Sequence, residues 1–116
     1  MYALFLILNQ IDKLDTILES LYQLGVGATT LDSVGMGKIL LEHNINENIF
    51  SSLKSILNEN KPYNKTIISV INNENILDEA INRINKILDI DNKKGVGFLF
   101  VIPVLIYRGG VNKIDE

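Results

Sequence analysis

The sequence predicts an α+β fold in which a single β-sheet is covered on one face by two helices. Continuous apolar runs of strand length occupy residues 2–8 and 98–107, and residues 66–71 are rich in β-branched side chains. Apolar residues recur at helical spacing within residues 11–24 and 75–88. Because strand and helix patterns alternate without a linker or an internal repeat, the 116 residues are expected to form one domain.

The first helix and the second strand are separated by a glycine. Gly25 follows the last apolar residue of the 11–24 stripe, where a helix C terminus favours a residue that can adopt positive φ. Residues 26–34 form the second predicted strand, which ends at the Gly-Met-Gly sequence of residues 35–37. Further along, residues 72–73 are two asparagines that turn the chain into the 75–88 helix.

An additional helix is predicted between the second and third strands. Residues 45–57 carry apolar side chains at helical spacing, inside an insertion that spans residues 38–64. The complete order is typical of the ferredoxin-like βαββαβ sandwich, here with one extra helix. Because the strands are apolar on both faces, we expect oligomerisation to cover the face that lacks helices.

Composition excludes several classes of chemistry. The chain has no Cys, which excludes disulfides, thiolate catalysis and iron–sulfur clusters, and its single histidine, His43, excludes a multi-histidine metal site within one chain. A net charge of −3 gives no basic surface for nucleic acid. The longest apolar run, residues 98–107, is half the ~20 residues of a membrane-spanning helix. With no export signal recognised, the expected location is the cytoplasm, without membrane insertion.

Catalysis is not predicted. Asp32, Ser33 and His43 are residue types of a hydrolase triad, but nothing in the sequence fixes them together and no nucleophile elbow surrounds the serine. We therefore expect no catalytic residues and no metal ligands, and the chain is not expected to be an enzyme.

Three segments share a pattern with a known family. Residues 24–37 read Leu-Gly-Val-Gly-Ala-Thr-Thr-Leu-Asp-Ser-Val-Gly-Met-Gly, residues 95–104 read Gly-Val-Gly-Phe-Leu-Phe-Val-Ile-Pro-Val, and residues 107–110 read Tyr-Arg-Gly-Gly. In these segments, and in the order of elements over residues 2–110, the chain resembles the PII-type nitrogen regulatory proteins and, more closely, their PII-like relatives.

The resemblance implies signal transduction. Such proteins are homotrimers whose sheets pack inward and which bind nucleotides in the clefts between subunits. A long loop between the second and third strands, the T-loop, changes shape with the ligand and contacts a target, often a transporter or an enzyme. In this chain the insertion at residues 38–64 stands in place of that loop.

The same resemblance, carried over position by position, implies nine nucleotide-binding residues. Gly-x-Gly turns let backbone N–H groups approach an anion, and a Lys or Arg can meet phosphate charge; each glycine pair also fits a plain bend at a strand end. One side of the expected cleft consists of Thr29, Gly35, Met36, Gly37 and Lys38. The other side consists of Gly95, Val96, Gly97 and Arg108.

Departures from the family pattern bear on the ligand. Val96 and Phe98 stand where ATP-binding members have an acidic residue and a lysine, and Arg108 stands alone where they have two arginines. AMP, ADP or a cyclic nucleotide therefore fits better than ATP, and no cofactor is required. Two hypotheses follow: an adenine-nucleotide sensor that regulates a partner protein, or a ligand-independent trimeric interaction module that has lost nucleotide binding.

Overall fold

The computed structural model describes residues 1–36, 39 and 64–110. In chain order the described elements are β1 (Tyr2–Leu8), a 3-10 turn (Ile11–Lys13), α1 (Leu14–Gln23), β2 (Thr29–Ser33), β3 (Asn64–Ile71), α2 (Glu74–Leu88) and β4 (Gly97–Pro103). The helix predicted over residues 45–57 lies outside the described residues, as do Gly37, Lys38 and His43.

The four strands form one antiparallel sheet in the order β2-β3-β1-β4. The central strand β1 pairs with β3 on one side and with β4 on the other, so that Leu6 lies opposite Ile67 and Leu99. The predicted α+β class is confirmed by this sheet and its two helices. Strands β2 and β4 form the two edges, which matters for the site because each contains one candidate residue, Thr29 or Gly97, and has others close to it in the chain.

The core lies between the sheet and the helices. Alternate residues of β1, namely Leu4, Leu6 and Leu8, are fully buried against α1 and α2 because successive strand side chains point to opposite faces. The buried apolar cluster consists of Leu4, Leu6, Leu8, Ile17, Leu21, Val26, Ile67, Ile71, Leu77, Ala80, Ile84 and Leu88. Both helices contribute to this one cluster, so both cover the same face of the sheet.

The opposite face of the sheet is also apolar, and neither α1 nor α2 covers it. We call it the open face; its apolar side chains are Phe5, Ile7, Leu31, Ile68, Val70, Phe98, Phe100 and Ile102. The rings of Phe5 and Phe100 stack with centroids 4.9 Å apart, and Phe98 lies beside them with 61% of its surface exposed. A contiguous apolar surface of this kind is typical of an interaction face.

Helix ends follow the local sequence. Gly25 adopts φ +76°, as predicted, and its amide donates to the Tyr22 carbonyl at the end of α1. Asn73 caps α2, because its side-chain oxygen accepts from the Asn75 and Ile76 amides at 2.8 and 3.1 Å. Gly25 thus follows the end of α1, and Asn73 marks the start of α2.

Three strand ends differ from the sequence prediction by two or more residues. β2 begins at Thr29 rather than Val26, and β3 begins at Asn64 rather than Thr66. The last strand, predicted to reach Tyr107, ends at Pro103, opposite Tyr2 of β1. The apolar run does not predict this end, because a strand ends where its hydrogen-bonded partner ends. The sequence of the run alone does not specify which strand is that partner.

Candidate functional site

The nine candidate residues fall into three groups on the structure. The first group is spread along β2 and beyond it. Thr29 begins the strand, and Gly35 and Met36 follow its end; Gly37 and Lys38 lie outside the described residues. The second group is the turn of residues 95–97, which leads into β4. The third group is Arg108 alone, five residues after β4 ends.

The end of β2, which Gly35 and Met36 follow, lies at the same end of the sheet as the 95–97 turn but on the opposite edge. Asp32, Lys65, Leu8 and Gly97 form one row across the four strands. This row spans three strand spacings of ~4.8 Å, or roughly 14 Å between the edge strands. One chain therefore does not close a compact pocket from these two groups.

Arg108 lies beyond the opposite end of β4. The strand from Gly97 to Pro103 alone is roughly 20 Å long at ~3.3 Å per residue, and Arg108 is five residues further along the chain. Within one chain, the 95–97 turn and the segment that leads to Arg108 thus start from opposite ends of β4. That these residues line one side of a cleft between subunits stays a prediction.

The 95–97 turn has a complete structural explanation. Gly95 adopts φ +78°, a conformation that other residues rarely adopt, and a Cβ on Gly97 would lie 3.1 Å from the Ile7 carbonyl oxygen. The Val96 carbonyl accepts from the amides of Asn9 and Gln10 at 3.0 and 3.1 Å. Backbone geometry at Gly95 and the close approach of Gly97 to β1 thus favour glycine here, independently of any ligand.

A polar cluster that the sequence did not reveal lies beside the first group. It consists of Asn9, Ser33, Asn64 and Thr66, all on the open face. The Ser33 hydroxyl donates to the Asn64 side chain and lies 2.8 Å from the Thr66 hydroxyl, and the Asn64 amide donates to Asn9 at 3.3 Å. Asn64 is only 5% exposed, so its hydrogen bonds are shielded from water.

The polar cluster joins the two ends of the chain segment between β2 and β3. Ser33 is the last residue of β2 and Asn64 is the first of β3, and they lie directly opposite each other. Gly35 follows two residues after Ser33, and a Cβ added to it would lie 4.0 Å from the side-chain nitrogen of Asn64. The hydrogen bonds of the polar cluster therefore lie where β2 ends and β3 begins, close to Gly35.

Arg108 is a charged group with a local partner. It is exposed, and its guanidinium donates to the Tyr107 carbonyl at 2.8 Å. Gly109 and Gly110 follow with φ of +80° and +110°, so the chain turns directly after the arginine. The arginine thus lies exposed at a bend, where its guanidinium can bind an anion.

Other features of the described residues lie elsewhere. A shallow depression of about 230 Å³ between α1 and α2 is lined by Ser20, Arg83, Lys86 and Ile87, and it contains none of the nine candidates. Within residues 1–36, 39 and 64–110, no group of three or more Asp, Glu or His side chains is placed to hold a metal ion. The described helices are also too short and polar to span a bilayer.

Comparison with known proteins adds no relative. No protein-family model matches the chain, and no curated protein matches it.

Proposed function

We propose that this chain is a PII-like regulatory protein, a cytoplasmic homotrimer that binds a small effector in the clefts between its subunits. The observation that carries the proposal is the separation of the three candidate groups over opposite edges and ends of one sheet. Residues so far apart serve one ligand only where neighbouring copies meet. The strand order β2-β3-β1-β4, with both helices on one face, supports a ferredoxin-like sandwich with residues 38–64 inserted.

The open face supports association of copies. Its stacked phenylalanines and the exposed Phe98 present a continuous apolar surface, and burying such a surface is favourable by about 25 cal/mol per Å². In the proposed trimer the three open faces pack inward against one another. Each edge strand then lies next to a neighbouring subunit, which is where the clefts form.

The proposed ligand is an adenine nucleotide smaller or less charged than ATP, such as AMP, ADP or a cyclic nucleotide. Thr29 supplies a hydroxyl, backbone amides at residues 35–37 approach the phosphate, and Lys38 and the neighbour's Arg108 offset its charge. Phe98, where a cation would help a triphosphate, presents an apolar ring. No metal or other cofactor is needed for this binding, and the chain performs no catalysis.

Regulation follows from differential binding. The ligand favours one arrangement of residues 38–64, and the polar cluster supports this coupling because it joins Ser33 at the end of β2 to Asn64 at the start of β3. A partner protein, such as a transporter or an enzyme, then binds one arrangement better than the other. The partner's affinity can change only by as much as the ligand's own affinities for the two arrangements differ.

Calorimetric titration tests this proposal. The purified protein is titrated with AMP, ADP, ATP, cyclic AMP and cyclic di-AMP, with and without Mg²⁺. We expect micromolar binding of at least one of them at one site per subunit, with ATP not the tightest. Gly37→Val is expected to abolish this binding while the trimer remains, and Gly27→Ala, where nothing lies within 4 Å of the added Cβ, is the matched control. Unchanged affinity in Gly37→Val would contradict the proposed site.

The second candidate function is a ligand-independent trimeric interaction module. The exposed phenyl ring of Phe98, next to Gly97, favours this second function. The ring belongs to the open face and offers no charge to a phosphate. A trimer that binds none of the five nucleotides would replace the first proposal with this one.

A further inference from the structure

One end of the sheet is closed by a row of residues that runs from the β2 edge to the β4 edge. The register of β1, continued by one residue past its end, places Asn9 opposite Asn64 on one side and opposite Val96 on the other. Asn64 begins β3 and lies opposite Ser33, the last residue of β2. We call these four residues the end row; in order across the sheet they are Ser33, Asn64, Asn9 and Val96.

Neighbours in the end row are joined by hydrogen bonds. The Ser33 hydroxyl donates to the Asn64 side-chain oxygen, and the Asn64 side-chain amide donates to the Asn9 side-chain oxygen at 3.3 Å. The Asn9 backbone amide in turn donates to the Val96 carbonyl at 3.0 Å. Asn64 thus uses its acceptor toward β2 and its donor toward β1. The bonds form one continuous path between the end of β2 and the 95–97 turn.

The middle of the end row is shielded from water, whereas its ends are more accessible. Asn64 is buried, so the loss of either of its side-chain bonds leaves a buried polar atom without that partner or forces the side chain to move. Hydrogen bonds within one network depend on one another, and removing one member changes the contribution of the next. Asn9 is exposed and Ser33 is half-buried, so both can be substituted without opening the core.

We propose that the end row couples the two edges of the sheet, so that the hold on the 95–97 turn depends on the Ser33 hydroxyl at the far edge. The turn is tied to β1 through the Val96 carbonyl, which accepts from the amides of Asn9 and Gln10. Ser33 and Val96 are separated by three strand spacings of ~4.8 Å, which is too far for direct contact. The coupling lies within one chain and requires neither the proposed trimer nor a ligand.

The coupling has a consequence for regulation. Gly35 follows two residues after Ser33, and the second group of candidate residues is the 95–97 turn itself. A ligand bound at either place would therefore shift the other within the same chain. This consequence rests on the proposed function, whereas the coupling itself does not.

Amide hydrogen exchange, measured by NMR on the full-length protein without ligand, tests the coupling. Ser33→Ala removes the first bond of the end row, and the exchange rates of the Asn9 and Gln10 amides report how firmly the turn is held. Thr30→Ala is the matched control, since it truncates an exposed hydroxyl on the opposite face of the same strand. The Leu6 amide, in the middle of β1, reports any loss of stability of the whole sheet.

Two substitutions of Asn9 test the route of the coupling. Asn9→Ala removes the middle of the end row, while Asn9→Asp keeps a side-chain oxygen that accepts from the Asn64 amide. Each is combined with Ser33→Ala, and the Gln10 amide is measured relative to its rate in an unfolded chain of the same sequence. Ser33→Ala should act on Gln10 in the Asn9→Asp protein and have no further effect in the Asn9→Ala protein.

We expect Ser33→Ala to speed exchange at Asn9 and Gln10 by about threefold or more, with Leu6 unchanged, and Thr30→Ala to have no such effect. Unchanged rates at Asn9 and Gln10 would overturn the coupling. So would an equal increase at Leu6, which would show a general loss of stability, or an effect that persists in the Asn9→Ala protein. Absence of nucleotide binding leaves these rates unaffected, so this inference and the proposed function fail separately.

Discussion

Replacing Leu6 with alanine is expected to lower the free energy of unfolding by about 2–5 kcal/mol. Leu6 is fully buried at the centre of the sheet, opposite Ile67 and Leu99, and its side chain packs beneath both helices. The substitution removes apolar contacts and leaves a cavity that the surrounding strands and helices fill only in part. Because domains are stable by only about 5–15 kcal/mol in total, the loss is a large share of stability.

Urea unfolding followed by circular dichroism measures this loss. Tyr22→Ala serves as the control, since it truncates a large but exposed side chain on α1 and is expected to change stability by less than ~0.5 kcal/mol. Both variants are compared at one protein concentration, because association adds to apparent stability. An equal effect from the two substitutions would contradict the assignment of the core to the helix-covered face.

Gly97→Val is expected to destabilise the fold by about 1–3 kcal/mol, the usual range for overpacking. A Cβ at this position lies 3.1 Å from the Ile7 carbonyl oxygen, and the leucine side chains of residues 6 and 88 lie 3.6 Å away. A backbone oxygen in the central strand cannot move aside as the end of a flexible side chain can. The strain therefore falls on the pairing between β1 and β4.

The same unfolding measurement, with Gly27→Ala as the control, checks the effect of Gly97→Val. Stability equal to that of the unmodified protein would show that β4 can shift away from β1 at no cost. The expected loss also has a practical consequence for the ligand site. Poor nucleotide binding by a Gly97 variant would not identify a ligand contact, which is why the titration uses Gly37 instead.

Elements whose signal is local were predicted well. The apolar run of residues 2–8 corresponds to β1 without change, and the stripe of residues 75–88 corresponds to α2, capped by Asn73. These elements depend on side-chain periodicity and caps within a few residues of each other. The ends of β2, β3 and β4 were less accurate, because pairing between strands that are distant in sequence decides where each one stops.

The candidate site was only partly accessible from the sequence. The Gly-Val-Gly turn was found, but its packing against Ile7 and its hydrogen bonds to residues 9–10 depend on contacts between β1 and β4. The polar cluster was missed because Ser33 and Asn64 are 31 residues apart and meet only through the register of β2 with β3. The path of the chain toward Arg108, beyond the end of β4 that is opposite the 95–97 turn, likewise depends on where β4 ends. The spacing of residues in the sequence does not predict that end.

In the proposed trimer, three copies associate so that their open faces are buried and their sheet edges meet. The molar mass of the full-length protein in solution, measured by light scattering across a range of micromolar concentrations, tests this association. We expect a mass three times the 13.0 kDa of one chain, constant over that range. A mass of one chain throughout would contradict both the trimer and the clefts between subunits.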